Sequence, residues 1–274
     1  MLRRFFADFT KYKSYVLFAA RADLKSEVAG SYLNWLWWLL DPLFQMLIYM
    51  FLMLVVFNKP IRFAIIFVFL GLTMWDLFNK TLMKSSRIIK ENAHILKKIR
   101  MPKFLLVLQA MYVNGFKMFI SLALTGVLMV VWMIFPIDPS GRLALGWEAL
   151  WFIPVLVTFF LLVFGLSLIV THIGVYVEDL RNVLQVALKL LFYMCGIFYQ
   201  LGTMGIVKTH PWIGTVLLKC NPISFLIQSA RECLLYRNIY EPWWLLLWFV
   251  LAVGLVLLGI RLIYKNENTY IKVI

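Results

Sequence analysis

Apolar and polar residues are sorted along this chain into long blocks. Apolar stretches near twenty residues, about the length a helix needs to cross 30 Å of hydrocarbon, alternate with short polar breaks. Six such stretches predict transmembrane helices at 34–57, 61–82, 108–135, 150–175, 185–205 and 243–263. The first opens NWLWWLLDP, with Trp35, Trp37 and Trp38 placed for the headgroup level, and the last opens on Trp243 and Trp244. Asn58-Lys59-Pro60 reads as a tight turn between the first two spans. The second span turns polar at Asp76, Asn79 and Lys80, and Asp76 and Lys80 are spaced to pair on one helix face.

Three segments break the block pattern. Over 3–30, Phe5, Phe9, Tyr12, Val16 and Ala19 recur at steps of three and four, opposite Arg3, Arg4, Asp8, Lys11 and Lys13. That periodicity predicts an amphipathic helix lying in the membrane interface. Over 85–102 a second helix is expected, with a stripe of Ile88, Ile89, Ile95, Leu96 and Ile99 flanked by Arg87, Lys90, Lys97, Lys98 and Arg100. Pro102 disfavours helix at Met101 and ends it. Such a stripe suits a groove on another protein, or the segment is a solvated basic loop. Over 206–242, the apolar runs 212–218 and 223–230 flank Cys220-Asn221-Pro222, and each is too short to cross as a helix. Paired short helices dipping into one leaflet fit better, since irregular backbone at depth is tolerated where protein surrounds it.

Composition agrees with a polytopic membrane protein. Of 274 residues, 63% are hydrophobic, which exceeds the soluble range of about 45–50%, and mean hydropathy is +0.86. The net charge of +14 fits basic flanks on anionic headgroups better than nucleic acid, which is not expected as a partner. With the N-terminus inside, the inner segments carry sixteen Lys and Arg and the outer ones seven, so both termini are expected in the cytosol. Lys117 then sits near an inner end and is expected to snorkel to the headgroups. MLRRFFADFTKYK has no apolar core of the kind a cleaved signal needs.

Chemistry is sparse. His94, His172 and His210 are scattered and Cys195, Cys220 and Cys233 form no CxxC pair, so no metal site is expected; Cys220 and Cys233 were candidates for an outer disulfide. No GxxxxGK[ST], HExxH or GxSxG occurs, so no catalytic residue is assigned. The ionisable residues cluster near the inner ends rather than at the bilayer centre, which weakens an ion-coupled carrier. A chain with no visible engine points to a partner that supplies the energy.

Four stretches, GSYLNWLWWLLDPLFQ (30–45), LGLTMWDLF (70–78), ENAHILKKIRMPKFLLVL (91–108) and NPISFLIQSARECLL (221–235), resemble in order and spacing the permease subunit of ABC-2-type exporters of polysaccharides, O-antigens and teichoic acids. That resemblance implies two permease copies and two ATP-binding subunits, with ATP and magnesium on the partner and no cofactor on this chain. It implies a lipid-linked glycan as substrate, moved across the inner membrane. It also implies an ATPase-coupling interface over 85–102, for which Ile88, Glu91, Asn92, His94, Ile95, Lys97, Lys98, Arg100, Met101 and Pro102 are the candidates. One departure is Glu178 in Tyr176-Val177-Glu178-Asp179-Leu180-Arg181, where the family often carries arginine.

The remaining candidates rest on residue type. Trp75, Phe78, Tyr112, Phe116, Tyr193 and Tyr199 offer flat faces to sugar rings, or pack helices. Asp41 faces a polar path or pairs with a nearby cation, and Pro42 bends its helix. Asn221, Pro222 and Arg231 belong to an outer gate, or to a lid in which Arg231 pairs locally with Glu232. Rival readings are an ABC-2-type exporter of a small lipophile, and a membrane enzyme of lipid-linked sugars. The latter needs a carboxylate cluster that the sequence does not offer.

Overall fold

Hydrophobic length dictates the long elements. The computed structural model describes residues 2–30, 32–51, 61–98, 101–135, 142–200, 209–267 and 269–270. Among these the chain is helical, with no strand. In chain order the helices are α1 (Leu2–Val28), α2 (Trp37–Phe51), α3 (Ala64–Ser85), α4 (Ile88–Glu91), α5 (Ala93–Lys98), α6 (Phe104–Ile134), α7 (Phe152–Tyr176), α8 (Leu180–Met194), α9 (Pro211–Thr215), α10 (Pro222–Leu235) and α11 (Pro242–Lys265). Four segments are long and apolar enough to cross a membrane: α3, α6, α7 with its lead-in from Trp147, and α11. They correspond to the second, third, fourth and sixth expected spans. In the first and fifth, the helices described are α2 and α8, with 15 residues each. At 1.5 Å per residue α8 is about 22 Å long, and residues 52–60, which follow α2, lie outside the described residues. The turn at Asn58-Lys59-Pro60 and residues 201–205 lie outside the described residues.

Helix α3 is the hub, buried from Ile66 to Phe78 almost without interruption. Helices α2, α6, α7, α8 and α10 all pack on it. Glycines set the closest approach, between α7 and α11. A Cβ on Gly165 would lie 2.8 Å from the backbone nitrogen of Val256, and one on Gly259 would lie 2.6 Å from Cβ of Leu168. Small residues let two backbones meet where apolar burial alone drives little association. Gly165→Ala is therefore expected to cost about 1–3 kcal/mol by overpacking, read as a lower unfolding temperature of the purified chain.

Helix α1 follows the expected stripe, but the stripe faces protein. Val16 and Ala20 are buried, and Phe5 packs on Phe104 at 4.7 Å. Gln109 donates to Asp23 at 2.8 Å, and Lys117 pairs with Glu27. Lys117 is thus held by Glu27 of α1. Phe6, Leu17 and Phe18 lie exposed on the helix's other side, where lipid can cover them. The two ends of the chain also meet: Tyr264 donates to Asp8 at 2.7 Å, and Arg4 reaches Glu267 at 3.1 Å. Lys103, only 3% exposed, lies 3.5 Å from the same glutamate. Tyr270, its phenol pushed upward by burial, contacts His172 at 2.7 Å.

Candidate functional site

Three features gather the chemistry-bearing residues. The first is the segment after α3. One helix was expected over 85–102; the chain instead breaks at Arg87 and again at Asn92. Asn92 closes α4 by donating from its side chain to the Ile88 carbonyl at 2.8 Å, and its own carbonyl accepts from Ile95 and Leu96. This local bonding by an asparagine competes with helix continuation. Ile88, Ile89, Leu96, Met101 and Pro102 turn inward, in a core with Phe104, Leu168 and Val175. The expected apolar stripe is therefore largely spent inside the chain. What faces outward is Glu91, His94, Lys97 and Lys98, with Ile95 and Asn92 half-buried. Ile99 and Arg100 lie outside the described residues. Helix α7 supports the joint from behind: Thr171 donates to the Ser85 carbonyl at 3.2 Å, and Gly174 lies directly under the Ser86 carbonyl.

The second feature is a groove of about 570 Å³ between α2, α3 and α8. At spacing four, Arg181, Gln185, Lys189 and Tyr193 share one face of α8. Opposite stand Asp76 and Lys80, joined at 2.7 Å as their spacing predicted, with Asn79 and Gln45 beside them. Trp75, Tyr49, Phe192 and Tyr193 make the aromatic part, with Trp75 and Phe192 at 5.4 Å and Tyr49 and Phe192 at 5.5 Å. Phe198 extends the cluster by stacking on Tyr49, and Tyr199 donates to the Tyr193 carbonyl. Phe78 packs behind Trp75, at 5.5 Å. Tyr112 and Phe116 do not join the groove; they line an apolar depression on α6 with Phe9, Phe119 and Phe160. A smaller cavity of about 300 Å³ beside the groove holds Asp41, Asn114 and Lys117. Among the described residues Asp41 has no ion-pair partner, and Pro42 is buried within α2.

The third feature is α10. Asn221 caps it by accepting from the backbone of Ile223 and Ser224, and Pro222 occupies the first turn, where its missing N–H costs nothing. A single π-helical turn, Val216–Cys220, joins α9 to this cap. Arg231 is 1% exposed and makes no local pair with Glu232. Its guanidinium donates to the carbonyls of Phe67 (3.1 Å), Gly196 (2.9 Å) and Ile197 (2.6 Å), and lies 3.5 Å over the Phe67 ring. Only a forked donor meets three carbonyls on two separate segments. Gly71 leaves room for it, since a Cβ there would sit 2.4 Å from the guanidinium. Glu232 bonds instead to Gln228 and Asn238. Cys233 is buried and Cys220 exposed; both are free thiols.

Reading residues singly missed Arg181, Gln185 and Lys189, although their spacing of four was present in the sequence. The groove grades from the cations Arg181 and Lys189 to the rings of Trp75, Phe192 and Tyr193. No family model matches the chain. Proteins described as O-antigen export system permease protein RfbA do match it. One from Klebsiella pneumoniae is 26% identical over 249 residues, covering 90% of this chain and 89% of the relative. One from Myxococcus xanthus is 25% identical over 228 residues, 83% of each chain. A second from Klebsiella pneumoniae is 24% identical over 253 residues, 92% of each. The likeness to these proteins runs through nearly the whole length of each chain.

Proposed function

We propose that this chain is the permease subunit of an ATP-driven exporter that moves a lipid-linked polysaccharide of the O-antigen, capsular or teichoic-acid kind across the bacterial inner membrane. The observation that carries this is the end-to-end likeness to relatives named as O-antigen export permeases. Two copies of the chain pair, and two ATP-binding subunits dock from the cytosol, carrying ATP and magnesium. The chain crosses six times with both termini cytosolic. The meeting of α1 with the end of α11 supports an even number of crossings.

In this mechanism ATP closes the partner pair and pushes on the segment Ile88–Lys98. The push passes to α7 through the contacts of Ser85 and Ser86 with Thr171 and Gly174, and on to α11 through Gly165. Helices α9 and α10 form the outer gate, and the groove between α2, α3 and α8 is the inner part of the sugar path.

The docking surface is tested on its outward residues, because deleting 85–102 would also remove core side chains. His94→Ala combined with Lys98→Glu is expected to weaken co-purification of the ATP-binding subunit at least tenfold, with membrane insertion and unfolding temperature unchanged. Full-strength association by the inserted double variant would refute docking at this segment.

A further inference from the structure

The groove carries an unbalanced charge. Among the described residues its cations are Lys80, Arg181 and Lys189 and its only carboxylate is Asp76, which leaves a net charge of +2. Lys80 is already satisfied by Asp76 at 2.7 Å. Arg181 and Lys189 have no acidic partner among the described residues, and both open toward the groove. Eight residues apart on one helix face, they lie about 12 Å from each other along the axis. Arg181 stands in the first turn of α8, where a cation can snorkel. Lys189 stands two turns further along, between the buried Leu188 and the exposed Leu190; within a bilayer an uncompensated charge there is costly. The rings of Trp75, Phe192 and Tyr193 lie within a helical turn of Lys189 or face it across the groove.

A site with two unpaired cations next to an aromatic platform asks for a ligand that is anionic in one part and ring-shaped in the next. A diphosphate diester, with one charge on each phosphate, matches the net charge, and a pyranose stacks its C–H face on aromatic rings. We infer that this groove seats the phosphate–sugar junction of a lipid-anchored glycan, with the diphosphate on Arg181 and Lys189 and the first sugars on Trp75, Phe192 and Tyr193. This rests on the export reading above and adds which atoms hold the cargo. Gln45, Asn79 and Gln185 are placed on the groove wall to bond sugar hydroxyls. An anionic phospholipid headgroup offers the same phosphate chemistry without the sugar, so the experiment must separate the two.

The full chain is reconstituted in phosphatidylcholine nanodiscs and probed by native mass spectrometry with a polyprenyl diphosphate, the same lipid bearing a disaccharide, unphosphorylated polyprenol and phosphatidylglycerol. The wild type is expected to bind the diphosphate at least tenfold more tightly than polyprenol or phosphatidylglycerol. Arg181→Gln with Lys189→Gln is expected to abolish that preference, while Arg142→Gln, a cation distant from the groove, leaves it intact. The disaccharide is expected to add affinity in the wild type but not in Tyr193→Ala. An unchanged preference in the double variant overturns the inference. So does phosphatidylglycerol bound as tightly as the diphosphate, which makes the groove a general anionic-lipid site. Polymer export measured on the same wild-type complex keeps the readings apart. Export with no role for Arg181 and Lys189 in binding refutes the seat alone. Binding that depends on them without any export refutes the transport reading and leaves the seat standing.

Discussion

Arg231→Met is expected to lower the unfolding temperature of the purified chain by about 4–20 °C. Methionine fills much of the volume but donates nothing, so the carbonyls of Gly196 and Ile197 lose their charged donor inside the core. A buried acceptor left unpaired costs about 1–3 kcal/mol. The carbonyl of Phe67 and the ring contact at 3.5 Å add to that loss. Removing the buried charge recovers some desolvation energy, which is why replacing whole ion pairs by apolar groups is often harmless. Here the acceptors are backbone and cannot be replaced with it, so the loss dominates. A net cost of about 2–5 kcal/mol, at about 2–4 °C per kcal/mol for a chain of this size, gives the stated range. Arg231→Lys should fall between, because an ammonium keeps the charge but cannot fork to three carbonyls. Both variants melting within about 1 °C of the wild type would show that the guanidinium does not hold α10 in place.

Gly174→Ala is expected to reduce export at least tenfold while leaving the ATP-binding subunit attached. The added Cβ would lie 2.1 Å from the Ser86 carbonyl oxygen and 2.9 Å from its carbon. Neither atom belongs to a flexible side chain, so the joint between α3 and α4 must move by an ångström or more, and the Thr171 bond to Ser85 is lost with it. The outward residues of α4 and α5 survive the substitution, so docking persists while the push no longer reaches α7 in register. Gly126→Ala is the control, since nothing lies within 4 Å of a Cβ at that site. Normal transport by Gly174→Ala would remove this contact from the transmission path.

Spans were legible because apolar length is a local property: 108–135 against Phe104–Ile134 and 243–263 against Pro242–Lys265 differ by a few residues. Pairing of Asp76 with Lys80 was legible for the same reason, being fixed by one turn of helix. The destination of an apolar stripe was not. Periodicity marks Ile88, Ile89 and Leu96 as one face, but only the approach of α6 and α7 decides that the face closes on the chain itself. Arg231 was read as a gate residue or as a local partner of Glu232 because its acceptors lie 34 to 164 residues away, where no local pattern records them. The start of α6 was set late by four residues because Lys103 looks like a loop charge, and its cover by Glu267 is again long-range. In the groove, each wall comes from a different helix, so the sequence showed its rings and cations without showing that they face one another.

The bond between Asp8 and Tyr264 and the reach of Arg4 to Glu267 join residues more than 250 positions apart. During synthesis the first helix emerges long before its partners on the last one exist. Its exposed Phe6 and Phe18 give it a place to wait, flat on the bilayer surface. Only when the final span has been inserted can the first helix settle against it, so a ribosome that stalls before Tyr264 leaves a chain whose beginning is still unanchored to its end. Helix α6 offers the first helix an earlier partner through Phe104, Gln109 and Lys117, so docking on the last span completes its capture as a late step of biogenesis.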